Sequence, residues 1–141
     1  KRFNFTCFFY KILIMNKIFN EKKGILFWIT GLSGAGKTSI AKKIKSEIIK
    51  NYGPTLEVSG DNFRKIFKFK SYSEKDRKRY LMNYLIFAKL ITDQKINLIY
   101  NLIGMYDMAR NWNRKNIDNY IEIYLKSDVK KIIKFGKKKN L

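Results

Sequence analysis

Gly31-Leu32-Ser33-Gly34-Ala35-Gly36-Lys37-Thr38 satisfies the spacing G-x-x-x-x-G-K-[ST] at every position. These residue types answer to a polyphosphate. Glycines let the backbone curl until successive N–H groups point inward at anionic oxygens. A helix that begins where the loop ends adds the positive end of its dipole. Lys37 brings a full charge to the β- and γ-phosphates of a triphosphate, and the Thr38 hydroxyl, followed by Ser39, can ligate Mg²⁺. Residues Gly31 to Ser39 are therefore the candidate nucleotide-binding set, with ATP and Mg²⁺ as the cofactors they imply.

A second group lies further along. Asp61 closes Ser59-Gly60-Asp61, just after a short strand. In a parallel sheet it shares the edge that carries the phosphate loop. A carboxylate there can orient Mg²⁺ or accept a hydroxyl proton. With Asn62 beside it, it can also serve only an Asx turn. Arg64 and Arg77 follow, and their planar forks suit phosphate or sulfate better than lysine does. Tyr72 can stack on a base or act as a staple for the helix behind it. Arg79 reads as a solvated surface charge.

What the chain lacks narrows the chemistry. It has no histidine, which removes Ser-His-Asp catalysis and His-ligated zinc. One cysteine, Cys7, permits neither an internal disulfide nor a thiolate metal cluster, and no feature argues for secretion, so a cytoplasmic location is expected. The 31 Lys+Arg against 11 Asp+Glu give a net charge of +20, which suits anionic partners. The lysines are scattered along the whole chain, so general residue bias explains them better than a dedicated nucleic-acid surface. Neither a specific nucleic acid nor a membrane is an expected partner; ATP and a nucleotide substrate are, and a homodimer stays open.

The elements that must position these residues are legible. Ile25 to Thr30 is a continuous apolar run, the mark of a strand buried on both faces. A helix from about Lys37 to Lys50 carries Ile40, Ala41, Ile44, Ile48 and Ile49 on one face. Gly53-Pro54 breaks the chain before a short strand, Thr55 to Val58. Phe63 to Ser71 reads as a basic loop. Ser73-Glu74-Lys75-Asp76 has the form of a capping box and predicts a helix through Ile91. Strands at Ile96 to Ile103 and Tyr120 to Leu125 flank a helix over Asp107 to Asn116. Ser127 can cap a last helix bearing Val129, Ile132 and Ile133. Alternating strands and helices predict an α/β three-layer sandwich around a parallel sheet. The Ile96 to Ile103 strand contains no acid, which disfavours motor and switch ATPases and favours a small-molecule kinase.

Three blocks together resemble one family, the adenylylsulfate kinases (APS kinases) of the P-loop NTPase class. They are Gly31 to Thr38, then Ser59-Gly60-Asp61-Asn62-Phe63-Arg64, then Tyr72-Ser73-Glu74-Lys75-Asp76-Arg77. The resemblance spans about residues 24–141. It implies transfer of the γ-phosphate of ATP to the 3′-hydroxyl of adenosine 5′-phosphosulfate, as in sulfate assimilation. Lys37 and Thr38 would hold ATP·Mg. Asp61 and Lys37 would be catalytic, and Thr38 and Asp61 would be metal ligands. Arg64 and Arg77 would grip the phosphosulfate, and Tyr72 would stack on its adenine.

The departures from the family touch the acceptor side. Ser59 replaces the first acid of D-G-D. Tyr80 stands where a substrate-binding Asn is usual. Gly104-Met105-Tyr106-Asp107 replaces S-P-Y-R, so an arginine becomes an acid. These features resemble divergent members of surface-polysaccharide pathways that act on another nucleotide, such as a cytidine diphosphoramidate. Residues 1–14 are expected to be an upstream extension ahead of Met15, with 15–141 forming the kinase domain. The family's lid and last strand have no counterpart before Leu141, so a non-catalytic nucleotide-binding fragment is the other reading.

Overall fold

Seven consecutive buried residues, Ile25–Gly31, form the strand on which the rest of the fold is built. The computed structural model describes residues 10–13, 19–71, 73–103 and 106–126. Their elements run β1 (Tyr10–Leu13), β2 (Ile25–Gly31), α1 (Lys37–Tyr52), β3 (Thr55–Ser59), α2 (Gly60–Phe67), α3 (Glu74–Asp93), β4 (Asn97–Asn101), α4 (Asp107–Asn116) and β5 (Asn119–Leu125). The sheet order is β1-β5-β2-β4-β3. β2 pairs in parallel with both β4 and β5, and β3 pairs in parallel with β4. Four parallel strands between helical layers give the three-layer α/β sandwich that the sequence predicts.

The alternation of side chains along β2 sorts the core into two layers. Ile25, Phe27 and Ile29 pack with Ala41, Ile44 and Ile48 of α1. Leu26 and Trp28 face the other way, against Leu81, Leu85 and Ala88 of α3 and Ala109 of α4. Trp28 meets Tyr100 of β4 edge to face, with centroids 5.9 Å apart. Each such side chain, fully buried, contributes on the order of 1.5–3 kcal/mol, and a strand buried on both sides collects this at every position.

Two asparagines close the amino edge of the sheet. Asn97 accepts from the Ile25 amide at 2.9 Å and donates to the Tyr52 carbonyl at 2.9 Å. Asn119 accepts from the Asn20 amide at 2.7 Å and donates to the Asn20 carbonyl at 2.8 Å. Buried amides with both ends engaged fix backbone that no ladder reaches.

Two expectations change. The stretch from Phe63, predicted as loop, begins inside helix α2. Ser59 caps it: its Oγ accepts from the Asn62 amide at 3.1 Å, and Asn62 Oδ1 accepts from the Ser59 amide at 3.0 Å. This is a capping box built with Asn in place of Glu or Gln. Phe63 and Phe67, one turn apart, stack at 5.2 Å, and the helix ends where Lys68 turns left-handed at φ 52°. Only the residues after Phe67 are loop. The second change concerns the segment ahead of Met15, predicted to lie outside the fold. Tyr10–Leu13 joins the sheet, antiparallel to β5. A strand at a sheet edge leaves its N–H and C=O groups open to pairing, and these four residues take up that capacity. The helix expected after Ser127 lies outside the described residues.

Ser73 caps α3 as predicted, accepting from the Asp76 amide at 3.2 Å. Gly24, ahead of β2, is held by a bond from its amide to the Thr92 carbonyl at 2.7 Å. A Cβ at Gly24 would lie 2.0 Å from the Ile96 carbonyl oxygen, so two backbones touch there. Gly24→Ala should therefore cost about 1–3 kcal/mol. Thermal melts should show a drop of several degrees, whereas Ser73→Ala should lose about 1 kcal/mol, the ordinary cost of an N-cap. A Gly24→Ala melt equal to the parent's would refute the close contact.

Candidate active site

β2 delivers the chain to the carboxyl edge of the sheet, and the turn there is made by glycines. Gly31 has φ 150°, Gly34 φ 77° and Gly36 φ 88°, all values that side-chain-bearing residues avoid. At Gly31 space is also exhausted, since a Cβ would sit 2.8 Å from the Leu125 carbonyl of β5. α1 starts directly after Gly36. No side chain caps it and its first turn holds no acid. The leading amides of α1 and the positive end of its dipole thus open onto the loop, the arrangement that suits an anion.

Lys37 is half-buried, and its ammonium donates to the Gly31 carbonyl at 3.0 Å and to the Leu32 carbonyl at 2.7 Å. Burial pulls its pKa below the usual lysine value, and the charge of Asp61 offsets part of that fall. The loop lysine thus feels the charge of the carboxylate after β3, a residue far from it in sequence. Thr38 and Ser39 are exposed on the first turn of α1.

Asp61 lies exposed in the first turn of α2. Ser59 sets its position by capping that helix, a task that the family's aspartate can equally perform. The Asp-to-Ser change thus retains the helix start and removes only a charge. Arg64, one turn on, donates from Nη1 to the Phe69 carbonyl at 3.2 Å and so ties down the return from α2. Arg77 is exposed in the first turn of α3. Because α3 runs back toward the start of β4, its amino end lies at the same edge as α2. Tyr72 lies outside the described residues. Arg79 spends its charge on Asp76 at 3.0 Å, in keeping with a surface role.

Two other residues, Tyr84 and Glu122, carried no functional reading in the sequence, and Tyr80 carried one only as a departure from the family. Tyr84 reads there only as part of the apolar stripe of α3. Its phenol is pushed above the usual tyrosine pKa by burial; Arg64 opposes the shift, and Tyr80 and Asp61 add to it. Tyr80 is buried and stacks on Phe69 with centroids 3.8 Å apart and planes 8° apart. Behind them Glu122 of β5, an acidic residue, is 5% exposed. Arg110 Nε lies 3.1 Å from its Oε1, and Arg114 Nη2 donates to its Oε2 at 3.0 Å. The signal available in the sequence was an acid inside an otherwise apolar strand run.

Among the described residues no group of three or more His, Cys, Asp or Glu side chains could hold a metal by itself, and no helix is long and apolar enough to cross a membrane.

Comparison with known proteins agrees with this geometry. The family model for adenylylsulphate kinase matches residues 23–139. The cytidine diphosphoramidate kinase of Campylobacter jejuni subsp. jejuni serotype O:2 is 31% identical over 113 residues, covering 80% of this chain and 66% of that protein. The adenylyl-sulfate kinase of Halothermothrix orenii is 30% identical over 106 residues, covering 74% of this chain and 57% of that protein. The chain thus spans about three fifths of the length of the curated relatives it matches. Among solved structures, APE1195 superposes with a TM-score of 0.74 at 28% identity, covering 86% of this chain and 73% of that one. The APS kinase of Mycobacterium tuberculosis in complex with AMPPNP and APS superposes with a TM-score of 0.69 at 23% identity, covering 79% and 68% of the two chains. The fold is that of the P-loop kinases, and with residues 23–139 matched by the family model and its phosphate loop intact, this chain belongs to the adenylylsulphate kinase family.

Proposed function

We propose that this protein is an ATP-dependent kinase that transfers the γ-phosphate to a hydroxyl of a nucleotide acceptor. The observation that carries the reading is geometric: a glycine turn at positive φ opens onto the uncapped start of α1 with Lys37 folded over it, and Asp61 stands in the first turn of the helix that follows β3 at the same edge. Lys37 is suited to the phosphates being moved, Asp61 to the attacking hydroxyl. Phosphoryl transfer asks little covalent chemistry of a protein. It asks for in-line positioning, for positive charge on the phosphates and for a carboxylate at the nucleophile.

In this reading the amides of Gly31 to Ser39 cradle the triphosphate, and Lys37 exchanges its two carbonyl partners for phosphate oxygens. Asp61 receives the hydroxyl proton. Thr38 and Asp61 fit a Mg²⁺ ion, because Mg²⁺ takes one or two protein oxygens and fills its shell with phosphate and water. When bound it would neutralise charge on the phosphates. Arg64 and Arg77 attract the anionic tail of the acceptor, and Tyr72 stacks on its base.

Two acceptors are open to this arrangement. Adenosine 5′-phosphosulfate, attacked through its 3′-hydroxyl, is the one implied by the family and by relatives such as the Halothermothrix orenii enzyme. A cytidine diphosphoramidate is favoured by the changes at Ser59, Tyr80 and Asp107 and by the likeness to the Campylobacter jejuni kinase. Incubation with labelled ATP·Mg and both acceptors, with product analysis for a new phosphate monoester, tests the reading directly. Absence of product from either acceptor in a chain that binds ATP would refute it.

Lys37→Ala should weaken ATP binding about tenfold or more, since a charge-assisted contact is worth roughly 1.5–3 kcal/mol. Calorimetry on the two chains decides this, and equal affinities would exclude the cradle. pH supplies a separate check. Lys37 binds phosphate while protonated, and its lowered pKa means that the charge is lost earlier on the alkaline side than for an ordinary lysine. Asp61 holds that pKa up, so Asp61→Asn should move the alkaline loss of ATP affinity to lower pH. The same variant should cut transfer about a hundredfold or more, the scale of general-base catalysis. An unmoved alkaline limb would separate Asp61 from Lys37, and unchanged transfer would place the base elsewhere.

A further inference from the structure

The polypeptide leaving β4 carries an acid into the acceptor edge and holds it there from beneath. The Leu102 amide bonds the Ile29 carbonyl at 3.1 Å, so the chain beyond β4 leaves the sheet beside the phosphate loop. α4 begins at Asp107. Tyr106 packs against the core cluster that holds Tyr80 and Leu81 of α3, one turn beyond Arg77. Asp107 therefore stands at the edge shared with the two arginines assigned to the acceptor.

The Asp107 side chain is 87% exposed, but it is not left to solvent alone: Arg110 Nη1 donates to its Oδ1 at 3.1 Å. Arg110 is in turn ion-paired with Glu122, the carboxylate buried under α4, its Nε 3.1 Å from Oε1. Arg114 and the Tyr120 hydroxyl, at 3.0 and 3.4 Å, occupy the other oxygen of Glu122. Glu122, Arg110 and Asp107 thus form a relay from the sheet interior to the surface. A surface carboxylate usually samples many rotamers, whereas one held by an anchored guanidinium presents its free oxygen in a preferred direction.

We infer that Asp107 selects the acceptor by its terminal group, favouring a nucleotide whose tail ends in an N–H donor such as a phosphoramidate, and that Glu122 acts through Arg110 as its positioning residue. A carboxylate only accepts hydrogen bonds. A terminal sulfate or phosphate presents oxygens and negative charge, so Asp107 repels it and leaves it without a partner. A terminal amide offers N–H groups in the same place and carries less charge. The inference rests on the kinase reading above and specifies the acceptor class for that site.

A matched ligand pair isolates the effect. Cytidine 5′-diphosphoramidate and cytidine 5′-diphosphate share base, ribose and both phosphorus atoms, and differ by one terminal NH₂ in place of oxygen. Calorimetric titration of the full chain with each should show the amide bound about tenfold more tightly, the scale of one hydrogen bond to a charged partner. Asp107→Asn, an exposed change that leaves the core untouched, should bring the ratio toward one. Asp107→Arg should reverse it. Glu122→Gln should shrink the preference with ATP affinity unchanged; if that variant does not fold, Arg110→Gln tests the same relay nearer the surface. A ratio indifferent to Asp107→Arg overturns the inference while leaving ATP binding and transfer to stand. A parent chain that binds ATP and neither cytidine ligand overturns the inference as well.

Discussion

The contact between Gly31 and the Leu125 carbonyl is the constraint on which the site depends. β2 lies between two parallel neighbours and is buried on both faces, so its position is fixed before the loop begins. At its last residue no room remains for a Cβ. The chain must turn away there, and only glycine adopts φ 150° without strain. The loop, the start of α1 and the reach of Lys37 all follow from where that turn occurs. A rigid core strand thereby aims a set of backbone amides that carry no side-chain identity of their own.

Charge is arranged with the same economy. A chain of net charge +20 attracts any anion, so attraction alone cannot discriminate. Discrimination needs the few acids placed among the cations. Asp61 tempers Lys37, and Asp107 stands beside Arg77's end of the edge. Glu122 is buried where an unpaired carboxylate would be costly, and two arginines compensate it. In the proposed reading the positive surface draws a polyanionic ligand in, and the three carboxylates are what discriminate among the arrivals.

The parts of this fold that could be read from residues alone were those in which one local rule and the tertiary packing agree. The apolar run before the phosphate loop, the cap at Ser73 and the stripe of α1 each obey one rule that burial reinforces. α2 was hidden because its capping box uses Asn62, a residue as much at home in a turn, and because Lys65, Lys68 and Lys70 mask the pairing of Phe63 with Phe67. The candidate site divided in the same way. Lys37, Thr38, Asp61 and Arg64 sit in spacings from which a chemical role can be proposed. Glu122 and Arg110 do not, since their meaning arises only when β5 slides beneath α4. Tyr84 was legible as core but not as a neighbour of Arg64 and Asp61, because periodicity reports which face a side chain occupies and not how far along the edge its polar tip extends.

The strand Tyr10–Leu13 has a consequence for how this protein behaves in quantity. With it in place, β5 has partners on both sides, and the half-exposed β3 is the other outer strand of the described sheet. A chain started at Met15 would lack that cover and expose the outer backbone of β5, a run of apolar residues in extended form. Such a rim is a template for a strand from another molecule. Two preparations with the same phosphate loop would then differ in colloidal behaviour, the shorter one drawn toward dimers or aggregates by sheet extension, and its solubility would be set at the margin of the sheet farthest from β3.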